Sequence, residues 1–79
     1  MSNLEKYNDI FCRILNVDEK ALNESFTFQA VPQWDSVAHL SLISELEEAF
    51  DVFFESEDIL HYASYENGKK ILAKYGVEL

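Results

Sequence analysis

The apolar positions Leu4, Tyr7, Ile10, Phe11, Ile14 and Leu15 recur every three or four residues, the interval that lines one face of an α-helix. Ser2, with Glu5 three residues later, forms a capping box ahead of them. The spacing therefore predicts a first helix over residues 3–15. Cys12 lies to the side of its apolar stripe and is assigned no chemical role. From residue 16 to 35 the interval disappears. Asn16, Asp18, Asn23, Ser25 and Pro32 are turn formers, and Leu22, Phe26, Phe28 and Val31 follow no helical period. The pattern predicts a long loop pinned to the core by those apolar side chains, a type of connection that is often functional. Pro32 biases Val31 away from helix, so the next helix starts no earlier than about Trp34.

Helical spacing returns from Ser36 to about Phe50. Leu42, Ile43, Leu46, Ala49 and Phe50 share one broad face with His39, while Val37, Ser41, Ser44 and Glu48 lie opposite, flanked by Leu40 and Glu47. The outer face thus mixes two apolar side chains with carboxylates. Ser36 is read as the residue that caps this helix. Asp51 to Phe54 end it. Ser56 is expected to cap a short third helix reaching His61, and Ser64 a fourth, in which Tyr65, Gly68, Ile71, Leu72 and Tyr75 approximate one face. Glycine inside a helix costs about 1 kcal/mol relative to alanine, so Gly68 predicts a tight contact there. Gly76 is a natural stop. The predicted fold is all-α: a small four-helix bundle over residues 1–79, one domain, with three main helices, a short third helix and a long loop between the first and second.

Composition narrows the function. Seventy-nine residues lie near the lower limit for a domain without staples, but 48% are hydrophobic, enough for a core. Fifteen Asp and Glu against six Lys and Arg give a formal charge of −9. That surface repels phosphate backbones and anionic lipid, and draws partners with basic patches, so neither nucleic acid nor a membrane surface is expected as a partner. Cys12 is the only cysteine, which rules out an internal disulfide and a thiolate metal cluster. No apolar run approaches the roughly 20 residues of a membrane span, and the N-terminus lacks the layout of a signal peptide. A cytoplasmic location is expected.

Ser36 and His39, three apart on one helix, invite a nucleophile–base reading. His39, however, is predicted on the core face with no carboxylate placed behind it, so a serine–histidine hydrolase is not expected. His39 and His61 are far apart, and the acidic run from Asp51 to Asp58 lacks the alternating ligands and central glycine of a calcium loop, so no metal site is expected. Ser36 suits a different chemistry. A phosphate esterified to a serine at a helix N-terminus sits against free backbone N–H groups and the positive end of the helix dipole.

Asp35-Ser36-Val37 opens the second helix and Leu46-Glu47-Glu48-Ala49-Phe50 closes it, while the first helix ends in ILNVD and the fourth in ILAKYG. With the helix order and the long first loop, these features resemble the acyl carrier proteins over almost the whole chain. The resemblance implies that a phosphopantetheinyl transferase, using coenzyme A and a divalent metal, joins 4′-phosphopantetheine to Ser36. It implies a monomeric phosphoprotein that catalyses nothing itself. Acyl cargo would ride as a thioester on the arm, for acyl-loading and acyl-processing enzymes of a fatty-acid or polyketide type of biosynthesis. Asp35 would help present Ser36 to the transferase. Val37, Leu40, Glu47 and Glu48 would form the docking face, and Glu55, Glu57 and Asp58 would extend its acidic edge.

The chain departs from the family pattern in places. Trp34 stands where members commonly carry glycine, Val37 replaces the leucine after the serine, Ser41 and Ser44 soften the outer face, and Phe53 and Phe54 place two aromatics side by side. These changes point to a specialised stand-alone carrier, with Trp34 as a lid or packing residue beside the arm. A peptidyl or aminoacyl carrier of the same fold is one alternative, although Asp35 before the serine favours acyl cargo. The other is an acidic helical adaptor that binds a basic partner without a prosthetic group.

Overall fold

A computed structural model describes residues 2–79, which form four α-helices: α1 (Asn3–Leu15), α2 (Ser36–Phe50), α3 (Ser56–His61) and α4 (Tyr65–Lys74). This is the small all-α bundle that the apolar spacing predicts, with the long connection between α1 and α2. Among the described residues no helix is long and apolar enough to cross a membrane.

Helix boundaries follow from local chemistry. Ser2 Oγ accepts from the Glu5 N–H at 3.1 Å and the Ser2 N–H donates to Glu5 Oε1 at 3.2 Å, closing the capping box of α1. Helices α1 and α2 both stop on a left-handed residue, Asn16 (φ 54°) and Asp51 (φ 53°), whose short polar side chains tolerate that conformation better than a branched one would. Ser64 caps α4, its Oγ accepting from the Asn67 N–H at 2.9 Å.

Two capping expectations are corrected. Helix α3 begins at Ser56 itself, with Glu55 in the cap position and no side-chain capping bond. The cap of α2 is Asp35, not Ser36: Asp35 Oδ1 accepts from the Ala38 N–H at 2.8 Å. A carboxylate immediately before the helix reaches the third amide, as a cap must. Ser36 is left as the first helical residue, exposed and outside the cap.

The core is aromatic. Trp34, Tyr7, Tyr62 and Phe11 are fully buried together with Leu15, Leu42, Leu46 and Leu72. Phe11 is the hub, its ring lying 4.8 Å from Tyr7, 5.3 Å from Tyr65 and 5.6 Å from Trp34 between centroids. Such pairs contribute about 0.5–1.5 kcal/mol each beyond simple burial. Tyr62 donates to the Tyr7 hydroxyl at 2.9 Å, and Tyr7 donates to the Tyr65 carbonyl at 2.7 Å, so the buried hydroxyls are satisfied in series. Burial pushes both phenols up, which keeps them protonated and the chain intact across the physiological range. Gly68 of α4 sits against this pair. A Cβ there would collide with the Tyr62 ring and the Tyr7 hydroxyl, the tight contact that its place in a helix predicts.

The long loop is folded onto the bundle. A 3₁₀ turn at Glu19–Ala21, too short to leave a period in the sequence, interrupts it. Phe26 and Trp34 are buried and Leu22, Phe28 and Val31 pack against the core. Backbone bonds then stitch the loop to the α3–α4 turn: Phe28 N–H to the Ala63 carbonyl at 2.8 Å, and Tyr65 N–H to the Phe26 carbonyl at 3.0 Å. The radius of gyration, 11.3 Å, is close to the ~11.6 Å of an average folded domain of this length.

Candidate functional site

Ser36 is exposed at the N-terminus of α2, where the first backbone N–H groups have no partner within the helix. The first intrahelical bond is made by His39 N–H to the Asp35 carbonyl at 2.8 Å, and Asp35 Oδ1 takes Ala38 N–H. The amides of Ser36 and Val37 therefore lie at the positive end of the dipole beside the Ser36 hydroxyl. Around the serine stand side chains that a solvent-facing surface does not need: Val37 is 75% exposed, Leu40 66% and Leu60 of α3 78%. Ser36 also lies on the rim of an open, mostly apolar groove of about 370 Å³, lined by Leu40 and Leu60 and by the rings of Phe28, His39 and Tyr62.

The residues beneath the serine are held by hydrogen bonds. Trp34 Nε1–H donates to His39 Nδ1 at 3.0 Å, and His39 Nε2 lies 2.8 Å from the Ile59 carbonyl. An indole can only donate and a carbonyl can only accept, so the imidazole is the Nε2–H tautomer with both nitrogens engaged. His39 has no lone pair left for the Ser36 hydroxyl, which removes the geometric basis for a serine–histidine pair. Trp34 is 1% exposed and packs on Phe11, Phe26 and Phe28. Of the two roles suggested for it, packing fits and a lid does not.

The acidic residues predicted to form a docking edge separate into two kinds. Glu48, Glu55 and Glu57 are exposed. Glu47 is half-buried, and its Oε2 accepts from the Phe54 N–H at 2.9 Å, which ties the end of α2 to the turn that follows. Asp58 is not an exposed docking carboxylate. It is buried, accepts from Lys74 Nζ at 2.7 Å, and is hydrogen-bonded by the Tyr75 hydroxyl. Those bonds hold its carboxyl below the usual aspartate value. A carboxylate in a short helix, one turn from exposed glutamates, carries no sequence mark that distinguishes the two fates. Lys74 thus brings a positive charge to α3, and the exposed carboxylates that remain of the predicted edge are Glu48, Glu55 and Glu57.

Sequence reasoning placed acidic residues of α3 at the site but missed its apolar side. Leu60 and the groove residues Phe28 and Tyr62 come to Ser36 from the loop and from the α3–α4 segment, and only the folded chain brings them together. Leu60 did carry a signal, an apolar residue next to Ile59 in a helix too short to bury both. Phe53 and Phe54 divide in the same way: Phe54 is buried and Phe53 is 85% exposed. Cys12 is half-buried, and burial pushes its thiol up, with Glu19 and Asp18 adding to the shift. Among the described residues no group of three or more His, Cys, Asp or Glu side chains could hold a metal ion. No protein-family model matches this chain, and neither curated proteins nor solved structures yield a match.

Proposed function

We propose that this chain is a carrier of the acyl carrier protein type, with Ser36 as the attachment point of a 4′-phosphopantetheine arm. The observation that carries the reading is the division of labour at the start of α2. Asp35 performs the capping, which leaves the Ser36 hydroxyl exposed and uncommitted on the rim of an apolar groove. An ordinary capping serine is not left in that state.

The residues present suit the group. The Ser36 and Val37 amides and the helix dipole favour a phosphodiester anion on the Ser36 oxygen. Leu40, Leu60 and Phe28 offer an apolar surface to whatever the arm bears. In the attachment reaction Ser36 Oγ bonds to the phosphorus of coenzyme A nearest the pantetheine and gives up its proton to the transferase. The phosphoanhydride bond breaks and the nucleotide half leaves. Once attached, the arm supplies a terminal thiol that holds cargo as a thioester.

Val37, Leu40 and Leu60 with Glu48, Glu55 and Glu57 form the surface presented to the transferase and to acyl-processing enzymes with basic patches. Steering by such charges accelerates encounter more than it tightens the complex. In this reading the chain works as a cytoplasmic monomer and leaves catalysis to its partners.

The test is the intact mass of the chain before and after incubation with coenzyme A, magnesium and a broad-specificity phosphopantetheinyl transferase. A gain of one phosphopantetheine on the wild type and none on Ser36→Ala supports the carrier. No gain on a folded wild type, with a control carrier modified in the same tube, favours an acidic adaptor that works without the arm.

A further inference from the structure

We infer that the groove beside Ser36 is a cargo pocket with a closed floor, built for acyl groups of short to medium length and closed to long chains. The inference rests on the carrier reading above and deepens it by naming the class of cargo. The groove is lined almost entirely by apolar surface, yet it ends on aromatic rings. Phe28 meets His39 edge-on at 5.9 Å between centroids, and His39 meets Tyr62 edge-on at 6.4 Å. These three rings form the floor.

Two of the three side chains are locked in place, and the third, Phe28, is held at its backbone and rests against Trp34. Tyr62 is fully buried, bonded to the Tyr7 hydroxyl, and backed by Gly68 of α4 with no room between. His39 is bonded on both nitrogens, to Trp34 and to the Ile59 carbonyl. The Phe28 backbone is fixed by its bond to Ala63. Behind the floor, where a longer chain would have to run, Phe11 and Trp34 are fully buried against each other at 5.6 Å. Opening a path inward would break buried hydrogen bonds and displace close-packed rings together. An acyl tail that merely lay along the surface would gain little burial.

The capacity follows from the volume. An apolar cavity of about 150 Å³ holds a benzene ring, so this groove of about 370 Å³, open on one side, has room for an acyl chain on the order of eight carbons. Two residues then set the limit: Tyr62 closes the pocket towards α1 and α4, and His39 closes it towards the loop.

The experiment uses the full chain loaded enzymatically from acyl-coenzyme A donors, from acetyl through butyryl, octanoyl and dodecanoyl to hexadecanoyl, each confirmed by intact mass. Thermal melting is the first readout. The midpoint rises from acetyl to octanoyl and gains nothing further for the longer chains. A rise that continues through hexadecanoyl overturns the closed floor, and a flat series overturns the pocket. Tyr62→Ala moves the maximum to dodecanoyl.

A second readout on the wild type guards against a misfolded variant. The terminal methyl of octanoyl shows nuclear Overhauser contacts to Phe28, Leu60 or Tyr62. Contacts from any chain to Phe11 or to the inner edge of Trp34 overturn the inference. If the mass shows no arm at all, the carrier reading fails, and the groove is judged by itself with free n-alcohols titrated into the unmodified chain. Affinity at the Leu60 and Ala63 amides should rise about fourfold per added methylene and level off at about eight carbons. No saturable shift there, or affinity still rising at longer chains, overturns the closed pocket.

Discussion

Because Asp35 holds the capping bond of α2, neighbouring substitutions should have opposite consequences for stability and for function. Ser36 is exposed at the first helical position and takes no part in the cap. Alanine is the better helix former by under about 0.7 kcal/mol, and exposed substitutions away from special features usually stay within about 0.5 kcal/mol of the wild type. Ser36→Ala should therefore melt with the wild type. Asp35→Ala strands the Ala38 N–H, now bonded at 2.8 Å, and removes a negative charge from the positive end of the dipole. Such losses cost about 1 kcal/mol, within a range of about 0.5–2 kcal/mol. In a domain of this size each kcal/mol moves the midpoint by about 4–8 °C.

Thermal melts by circular dichroism should place the wild type and Ser36→Ala together, with Asp35→Ala several degrees lower. Asp35→Asn, which keeps a capping oxygen, should lie near the wild type, because asparagine caps as well as aspartate. Paired intact-mass measurements should reverse the order of damage, with Ser36→Ala stable but never modified. A Ser36→Ala midpoint about 4 °C or more below the wild type would show that the hydroxyl, not the Asp35 carboxylate, holds the helix start.

Gly68→Ala should destabilise by about 1–3 kcal/mol in urea unfolding, because the overpacking cost exceeds the gain in helix propensity where Tyr62 and Tyr7 cannot retreat. A more stable variant would show that the tyrosines give way. Asp58 is held below its ordinary value of 3.8, first by its bond from Lys74 and then by Tyr75. The unfolded chain thus binds the proton more readily, and this pair's stability is complete above that value and lost as pH falls through the lowered native one. Asp58→Asn should flatten the stability curve below about pH 4; equal slopes in the two proteins would show that the bond contributes nothing. Reversing charge at both Glu48 and Glu57, each exposed, should slow phosphopantetheinyl transfer at low salt and much less at high salt, with the melting point unchanged. Equal rates at low salt would remove these carboxylates from the docking surface.

Helices α1, α2 and α4 were legible because each carries a period long enough to read and a boundary made of local chemistry, whereas the six-residue α3 has neither a full period nor a side-chain cap. Ser2 with Glu5, Ser64, Gly76 and the stripe from Tyr7 to Leu15 all act within one or two turns. The start of α2 at Ser36 was read correctly, but its cap was misplaced by one residue because aspartate and serine are equally good caps. Sequence cannot rank two such neighbours; only the chain path into the helix does. The loop was legible as pinned, but not as stitched, since the bonds from Phe28 to Ala63 and from Tyr65 to Phe26 join segments distant in sequence. The burial of Asp58 depends on Lys74 and Tyr75 arriving from α4, and the groove depends on three separated segments meeting at Ser36. Apart from the Asp35 cap and the Trp34–His39 bond, what stayed hidden in the site was contacts across the bundle.

Trp34 links these levels. It stands one residue before the cap of α2, and His39 is the fourth residue of that helix, the two positions that form a hydrophobic staple across a helix start. Here the staple is a stacked pair of rings, 6.0 Å between centroids, locked by the indole-to-imidazole hydrogen bond. The indole is anchored on Phe11 of α1 and the imidazole on the Ile59 carbonyl of α3. The entry angle of α2 is thus referred to two other helices, and with it the direction in which Ser36 faces. A glycine at position 34 could make the turn into the helix equally well but could anchor nothing. The tryptophan therefore exchanges freedom at the helix mouth for a fixed serine above a fixed floor. On the proposed carrier reading, that exchange suits presenting one hydroxyl and one class of cargo to a few partners better than opening the interior to growing chains.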